Sequence, residues 1–63
     1  MNNKLKDLRT EQGWSQAEIG KRLDASRQTT IALESGKYDP SLPLAFAIAA
    51  LFNMKIEDIF FPE

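Results

Sequence analysis

The sequence predicts an all-α domain made of five short helices. Two observations lead to this prediction: apolar residues recur at helical spacing along most of the 63 residues, and helix-capping residues precede the apolar stretches. The length fits a single domain covering residues 1–63. We find no internal repeat, no linker and no alternating pattern typical of strands.

The first helix is predicted from two leucines. Leu5 and Leu8 lie three residues apart, with charged residues filling the positions around them. This spacing puts both leucines on one face of a helix. We expect the helix to begin near Asn2 or Asn3 and to end at Gly13, because glycine is common just past a helix C-terminus.

The second helix has a clear start signal. Ser15–Glu18 has the pattern of a capping box, in which the serine hydroxyl and the glutamate carboxylate each bind a backbone N–H. Trp14 and Ile19 occupy the two positions of a hydrophobic staple, and the helix runs to Leu23. Gly20 lies in the middle of this helix, where it costs about 1 kcal/mol relative to alanine. We therefore expect another helix to cross closely at this glycine.

Turn and capping residues define the next two helices. Asp24–Ala25 forms a turn, Ser26 caps the third helix and Gly36 ends it. Ser41 caps the fourth helix, with Pro43 in its first turn, where the missing N–H costs nothing. The fourth helix has a broad apolar face that should be central to the core, formed by Leu44, Ala45, Ala47, Ile48, Leu51 and Phe52.

The chain ends in an apolar cluster. Asn53 can close the fourth helix in the left-handed conformation, and Lys55–Phe60 is predicted as a last short helix. Phe61 follows directly and places an aromatic side chain near the end of the sequence. We expect Ile56, Phe60 and Phe61 to lie in a homodimer interface.

The first turn of the third helix carries the chemistry of base recognition. Arg27 and Gln28 are side chains that can each make two hydrogen bonds to one base edge in the major groove, and Thr29 follows them. In a helix-turn-helix protein this turn of the second of the paired helices contacts the bases. Gln16, at the start of the preceding helix, and Lys37, in the loop after the third helix, are placed for phosphate contacts. For Gln16, a role in capping alone is the alternative.

Composition excludes several other classes. The chain has no Cys and no His, so we expect no disulfide, no ordinary zinc site and no metal or other cofactor. Ile48–Phe52 is the longest apolar run, far short of the roughly 20 residues that span a bilayer. The net charge is −1, yet residues 1–37 carry seven basic and five acidic side chains, while residues 38–63 carry one and four. The basic half coincides with the predicted helix-turn-helix, which is compatible with a phosphate-facing side.

These motifs together resemble one family. The chain is similar to the phage repressor/Cro-type helix-turn-helix regulators, also called the xenobiotic-response-element family. The matching positions cover nearly the whole chain: Leu5, Leu8, Arg9, Trp14–Ile19, Ser26–Thr29, Leu33–Lys37, Pro40–Leu42 and Ile56–Phe60. The resemblance implies a five-helix domain that regulates transcription, usually as a dimer. It also implies DNA contacts from Gln16, Ser26, Arg27, Gln28 and Thr29, and a partly buried ion pair between Arg9 and Glu34.

The sequence departs from the family pattern at the turn and in the third helix. Asp24 stands where glycine is usual, and Ala25 replaces a larger apolar residue. Thr30 takes a position that usually turns Ile or Val inward, whereas Ile31 lies one position later, on a face that is often polar. An outward Ile31 would be able to contact a thymine methyl group.

The function predicted from the sequence is sequence-specific binding of double-stranded DNA. We expect a cytoplasmic transcriptional regulator, a repressor, that binds a near-palindromic operator as a homodimer with its third helix in the major groove. An enzyme is not expected, because Ser15, Ser26 and Ser41 are explained as helix caps and no glycine-rich phosphate loop is present. The alternative is a protein-interaction module, such as an antitoxin that neutralises a protein partner.

Overall fold

The computed structural model describes residues 1–62 and confirms the predicted five-helix, all-α class. The helices pack into a particle with a radius of gyration of 10.3 Å. In chain order the elements are β1 (Asn2–Asn3), α1 (Leu5–Glu11), α2 (Gln16–Arg22), α3 (Arg27–Glu34), α4 (Leu42–Phe52), α5 (Ile56–Ile59) and β2 (Phe60–Phe61).

The two short strands correct the sequence-based prediction at both ends of the chain. They pair antiparallel, with Asn2 opposite Phe61 and Asn3 opposite Phe60. Consequently α1 begins later than expected, at Leu5, and the last helix ends before Phe60. Two residues are too few for an alternating pattern to appear in the sequence, and the pairing joins residues from opposite ends of the chain.

The side chain of Asn3 explains why the N-terminal segment turns into α1 where it does. Its Oδ1 accepts a hydrogen bond from the backbone N–H of Leu5 at 3.0 Å, which satisfies a donor at the start of the helix. Its Nδ2 donates to the carbonyl of Leu33 at 2.8 Å. One asparagine therefore ties the beginning of α1 to the end of α3.

Every helix contributes to a single apolar core. The fully buried side chains include Leu5, Ile19, Leu33, Ile48 and Ile59, one from each helix. Within residues 1–62 no side-chain nitrogen or oxygen is buried without a hydrogen-bond partner. Burial of this apolar surface is the main force that holds the helices together.

Helix α4 is apolar on all sides, and its core-facing side differs from the prediction at two positions. Ala45 and Ile48 are buried, as expected, but Ala47 is exposed and Ala49 is buried in its place. The helix ends at Asn53, which adopts the predicted left-handed conformation with φ of 54°. In the described part of the chain, no helix is both long enough and apolar enough to cross a membrane.

Candidate DNA-binding surface

Serine caps fix the starts of α2 and α3. Ser15 Oγ accepts from the N–H of Glu18, and Ser26 Oγ accepts from the N–H of Thr29, each at 3.0 Å. The Glu18 carboxylate does not complete the predicted capping box but pairs with Arg22, at 2.9 Å. The Thr29 hydroxyl lies 2.9 Å from Ser26 Oγ, so the two hydroxyls form a unit at the start of α3. Each hydroxyl retains capacity for a further hydrogen bond to DNA.

Helices α2 and α3 approach closely at Gly20, as the sequence predicts. A Cβ at this position would lie 2.8 Å from the carbonyl oxygen of Ala25 and 3.2 Å from Thr30 Oγ1. Thr30 is fully buried, and its hydroxyl donates to the carbonyl of Ser26 at 3.3 Å. The threonine therefore occupies the inward position of α3 and satisfies its hydroxyl within its own helix.

The turn between these helices adopts a left-handed conformation without glycine. Asp24 has φ of 55°, a value that aspartate tolerates better than most residues. The next residue, Ala25, donates its N–H to the carbonyl of Gly20 at 2.7 Å and packs half-buried against the core. The two residues that depart from the family pattern, Asp24 and Ala25, therefore leave the helix-turn-helix geometry intact.

A buried polar network connects the first three helices. Arg9 and Glu34, the pair implied by the family resemblance, are joined by two hydrogen bonds, Nε–Oε2 at 2.6 Å and Nη2–Oε1 at 3.2 Å. Their side chains are only 11% and 5% exposed. Arg9 Nη1 also donates to the carbonyl of Trp14, and Gln16 Nε2 donates to Glu34 Oε1 at 3.2 Å. The network fixes the start of α2 relative to α1 and α3.

Trp14 supports the same junction from the apolar side. Its ring is 5.8 Å from that of Phe52, and the guanidinium of Arg22 lies 4.2 Å above it. Ile19, its expected staple partner, is fully buried, and Trp14 packs against the same core. The start of α2 is thereby held between the polar network and α4.

An open groove separates the starts of α2 and α3. It encloses about 470 Å³ and is lined by Arg9, Ser15, Gln16, Ala17 and Arg27. The structure thus brings together Gln16 and Arg27, which lie on different helices. Within residues 1–62 the exposed side chain of Arg27 makes no hydrogen bond or ion pair, so its guanidinium is available to a ligand.

The other candidate contact residues are distributed along α3 and the loop after it. Gln28 is exposed, and Ile31 is half-buried. Since Ile31 follows Arg27 by four residues, the two lie on one side of the helix. Lys37 is exposed beyond the opposite end of α3 and does not line the groove.

The C-terminal residues predicted for a dimer interface have different environments. Phe60 is only 5% exposed, because it faces the core of its own chain from β2. It also lines an apolar groove at the surface, so its place in an interface stays a prediction. Phe61, on the other face of β2, is exposed, and Ile56 is half-buried. Leu42 and Phe46, to which the sequence analysis assigned no role, are 65% and 58% exposed. Their spacing of four residues was a usable signal, but the uniformly apolar composition of α4 concealed it.

A serine-capped helix-turn-helix that presents free arginine and glutamine side chains at the start of its second helix defines a small DNA-binding domain. The family model described as helix-turn-helix matches residues 5–59. The chain therefore belongs to the Cro/repressor-type helix-turn-helix family, which comprises DNA-binding transcriptional regulators and not enzymes.

Curated relatives agree with this family over nearly their whole length. An uncharacterized HTH-type transcriptional regulator of Methanocaldococcus jannaschii is 57% identical over 63 residues, which is all of this chain and 96% of the relative. The uncharacterized HTH-type transcriptional regulator YgzD of Bacillus subtilis is 48% identical over the same coverage. A further uncharacterized regulator of this type from Archaeoglobus fulgidus is 48% identical over 60 residues, 95% of this chain and 84% of the relative.

Proposed function

We propose that this chain is a transcriptional repressor that binds a near-palindromic operator as a homodimer, with α3 in the major groove. The observation that carries the proposal is the exposure of Arg27 and Gln28 in the first turn of α3, whereas every buried side-chain nitrogen and oxygen of residues 1–62 has a hydrogen-bond partner. The relatives named as HTH-type transcriptional regulators support the regulatory part of the proposal.

Base readout is assigned to four side chains of α3. Arg27 suits the two acceptors of guanine, and Gln28 suits the donor and acceptor of adenine. Thr29 is half-buried beside Ser26. Its hydroxyl, which would contact a base, is already oriented by its hydrogen bond with the hydroxyl of Ser26. Ile31 offers an apolar surface to a thymine methyl group.

Phosphate contacts are assigned to Gln16, Ser26 and Lys37. The Gln16 amide donates one hydrogen bond to Glu34 and retains a second N–H for a phosphate oxygen. Because Glu34 fixes the orientation of this amide, little side-chain entropy is lost when DNA binds. Lys37 adds a charge contact that is independent of sequence.

A homodimer would place two copies of α3 in successive major grooves, about 34 Å apart. Its operator would then have two related half-sites. The first test is binding-site selection from a random duplex pool with the wild type and with an Arg27→Ala, Gln28→Ala variant. The wild type is expected to enrich a near-palindrome, and the variant is not.

A matched control separates base readout from general loss of positive charge. Lys55→Ala with Gln12→Ala likewise removes one basic side chain and one glutamine, at exposed positions outside α3. This control should select the same operator as the wild type. Failure of the wild type to enrich any sequence at low salt would refute the proposal.

A further inference from the structure

The outer side of α4 is an unbroken apolar surface. Five residues on this side are exposed, and all of them are apolar: Leu42, Pro43, Phe46, Ala47 and Ala50. Leu42, Phe46 and Ala50 follow one another at intervals of four residues, so they form one ridge along the helix. We refer to these five residues as the outer face of α4. A surface helix of a monomeric domain normally carries polar residues in such positions.

An apolar groove continues this surface on the side of the chain termini. It encloses about 240 Å³ and is lined by Met1, Pro40, Leu42, Ala45, Ile56 and Phe60. An apolar cavity of about 150 Å³ is large enough for benzene, so the groove has room for an aromatic ring. Phe46 lies next to Ala45 and one helical turn from Leu42. A projecting aromatic side chain and a space that fits it therefore occur side by side on the same surface.

We propose that a second copy of this chain docks on the outer face of α4 and the adjoining groove. The inference deepens the proposed function, since it rests on the proposed homodimer and assigns its interface. In a two-fold arrangement each surface meets its own copy, so a projection beside a matching recess is complementary to itself. No charged side chain lies on the outer face or lines the groove, and the charged amino group of Met1, which does line it, is paired with Asp39 at 3.1 Å. Like-charge repulsion between two copies is therefore small.

The size of the surface sets the strength of this association. With 11 residues, α4 is about 16 Å long. Such a contact falls at the lower end of specific interfaces, below about 1,200 Å² in total. We therefore expect a reversible monomer–dimer equilibrium in solution. Binding of two copies to adjacent half-sites should shift this equilibrium to the dimer. None of the candidate DNA-contacting residues belongs to this surface, so both surfaces remain available at once.

The test compares three single substitutions by sedimentation equilibrium over a range of protein concentrations. Phe46→Ala removes the projecting ring and should raise the dimer dissociation constant about tenfold to a hundredfold. Ala47→Glu should also weaken the dimer, because it buries a charge in each copy. Tyr38→Ala is the matched control: it removes another exposed aromatic side chain that neither lies on α4 nor lines the groove, and should change the constant by at most about twofold.

Two further measurements make the result decisive. Circular dichroism at low concentration shows whether each variant remains folded. If Phe46→Ala unfolds, the dimer dissociation constant of Ala47→Glu tests whether the outer face of α4 is the interface. Binding to a duplex with a single half-site tests DNA recognition without the dimer and should be the same for all four proteins.

The proposal is overturned if Phe46→Ala associates like the wild type, if Tyr38→Ala weakens the dimer as much as Phe46→Ala does, or if the wild type stays monomeric at high micromolar concentration. If the wild type does not bind the half-site duplex, the proposed DNA function is refuted, whereas the result on the dimer interface still holds.

Discussion

The helix-turn-helix half of the molecule and the α4 half are stabilised in different ways. In the first, hydrogen bonds from Ser15, Ser26 and the Arg9–Glu34 pair define where helices begin and how they meet. In the second, α4 contacts its surroundings only through apolar side chains after its Ser41 cap. Polar contacts specify one geometry, whereas an all-apolar helix can present either side to a core or a partner. The candidate functions follow the same division, with DNA contact assigned to the first half and self-association to the second.

The largest effect is expected from breaking the polar network. Glu34→Ala leaves the Arg9 charge without its partner at a site where its side chain is 11% exposed, which should lower the free energy of unfolding by about 3–5 kcal/mol. Glu18→Ala is the control, because the Glu18–Arg22 pair is more than 40% exposed and contributes about 0.3–0.5 kcal/mol. Urea unfolding measures both. Equal losses would show that the buried network does not specify the first half of the fold.

The next largest effect concerns the crossing of α2 and α3. Gly20→Ala would place Cβ 2.8 Å from a backbone oxygen, which cannot move without shifting the turn. Overpacking of this kind costs about 1–3 kcal/mol, partly offset by the roughly 1 kcal/mol better helix propensity of alanine. Gly13→Ala serves as a comparison, because its Cβ meets no atom within 4 Å and only its φ of 75° opposes the change. A neutral Gly20→Ala variant that binds DNA normally would contradict the close crossing.

The smallest effect tests the backbone strain at the two non-glycine positions with positive φ in residues 1–62. Asp24 lies in the turn after α2, and Asn53 caps the end of α4, with φ of 55° and 54°. Asp24→Gly and Asn53→Gly should each stabilise the fold by up to about 1 kcal/mol, because glycine adopts this conformation without the Cβ penalty. Thermal unfolding measures the shift. A destabilised Asp24→Gly variant would mean that the aspartate side chain supports the turn.

The accuracy of the sequence analysis varies between the two halves for a physical reason. Ser15, Ser26 and Asn53 mark helix ends through local chemistry, so the boundaries near them were predicted closely. The strand pair between Asn3 and Phe60 depends on a contact between distant parts of the chain, which no local pattern reveals. The uniform composition of α4 predicts a helix but does not specify its rotation about its axis. For that reason the sequence did not reveal the exposure of Phe46. The burial of Phe60 follows from the strand pairing, so the local sequence did not reveal it either.

Base reading by α3 is tested by comparing Arg27→Ala and Lys37→Ala on the selected operator and on a random duplex of equal length. Arg27→Ala should lose about 1–3 kcal/mol on the operator and relax specificity at one base position, with little change on the random duplex. Lys37→Ala should weaken both duplexes alike and lower the salt slope by about one unit. If Arg27→Ala instead loses the same affinity on both duplexes, α3 does not read bases, and the account of this surface is wrong.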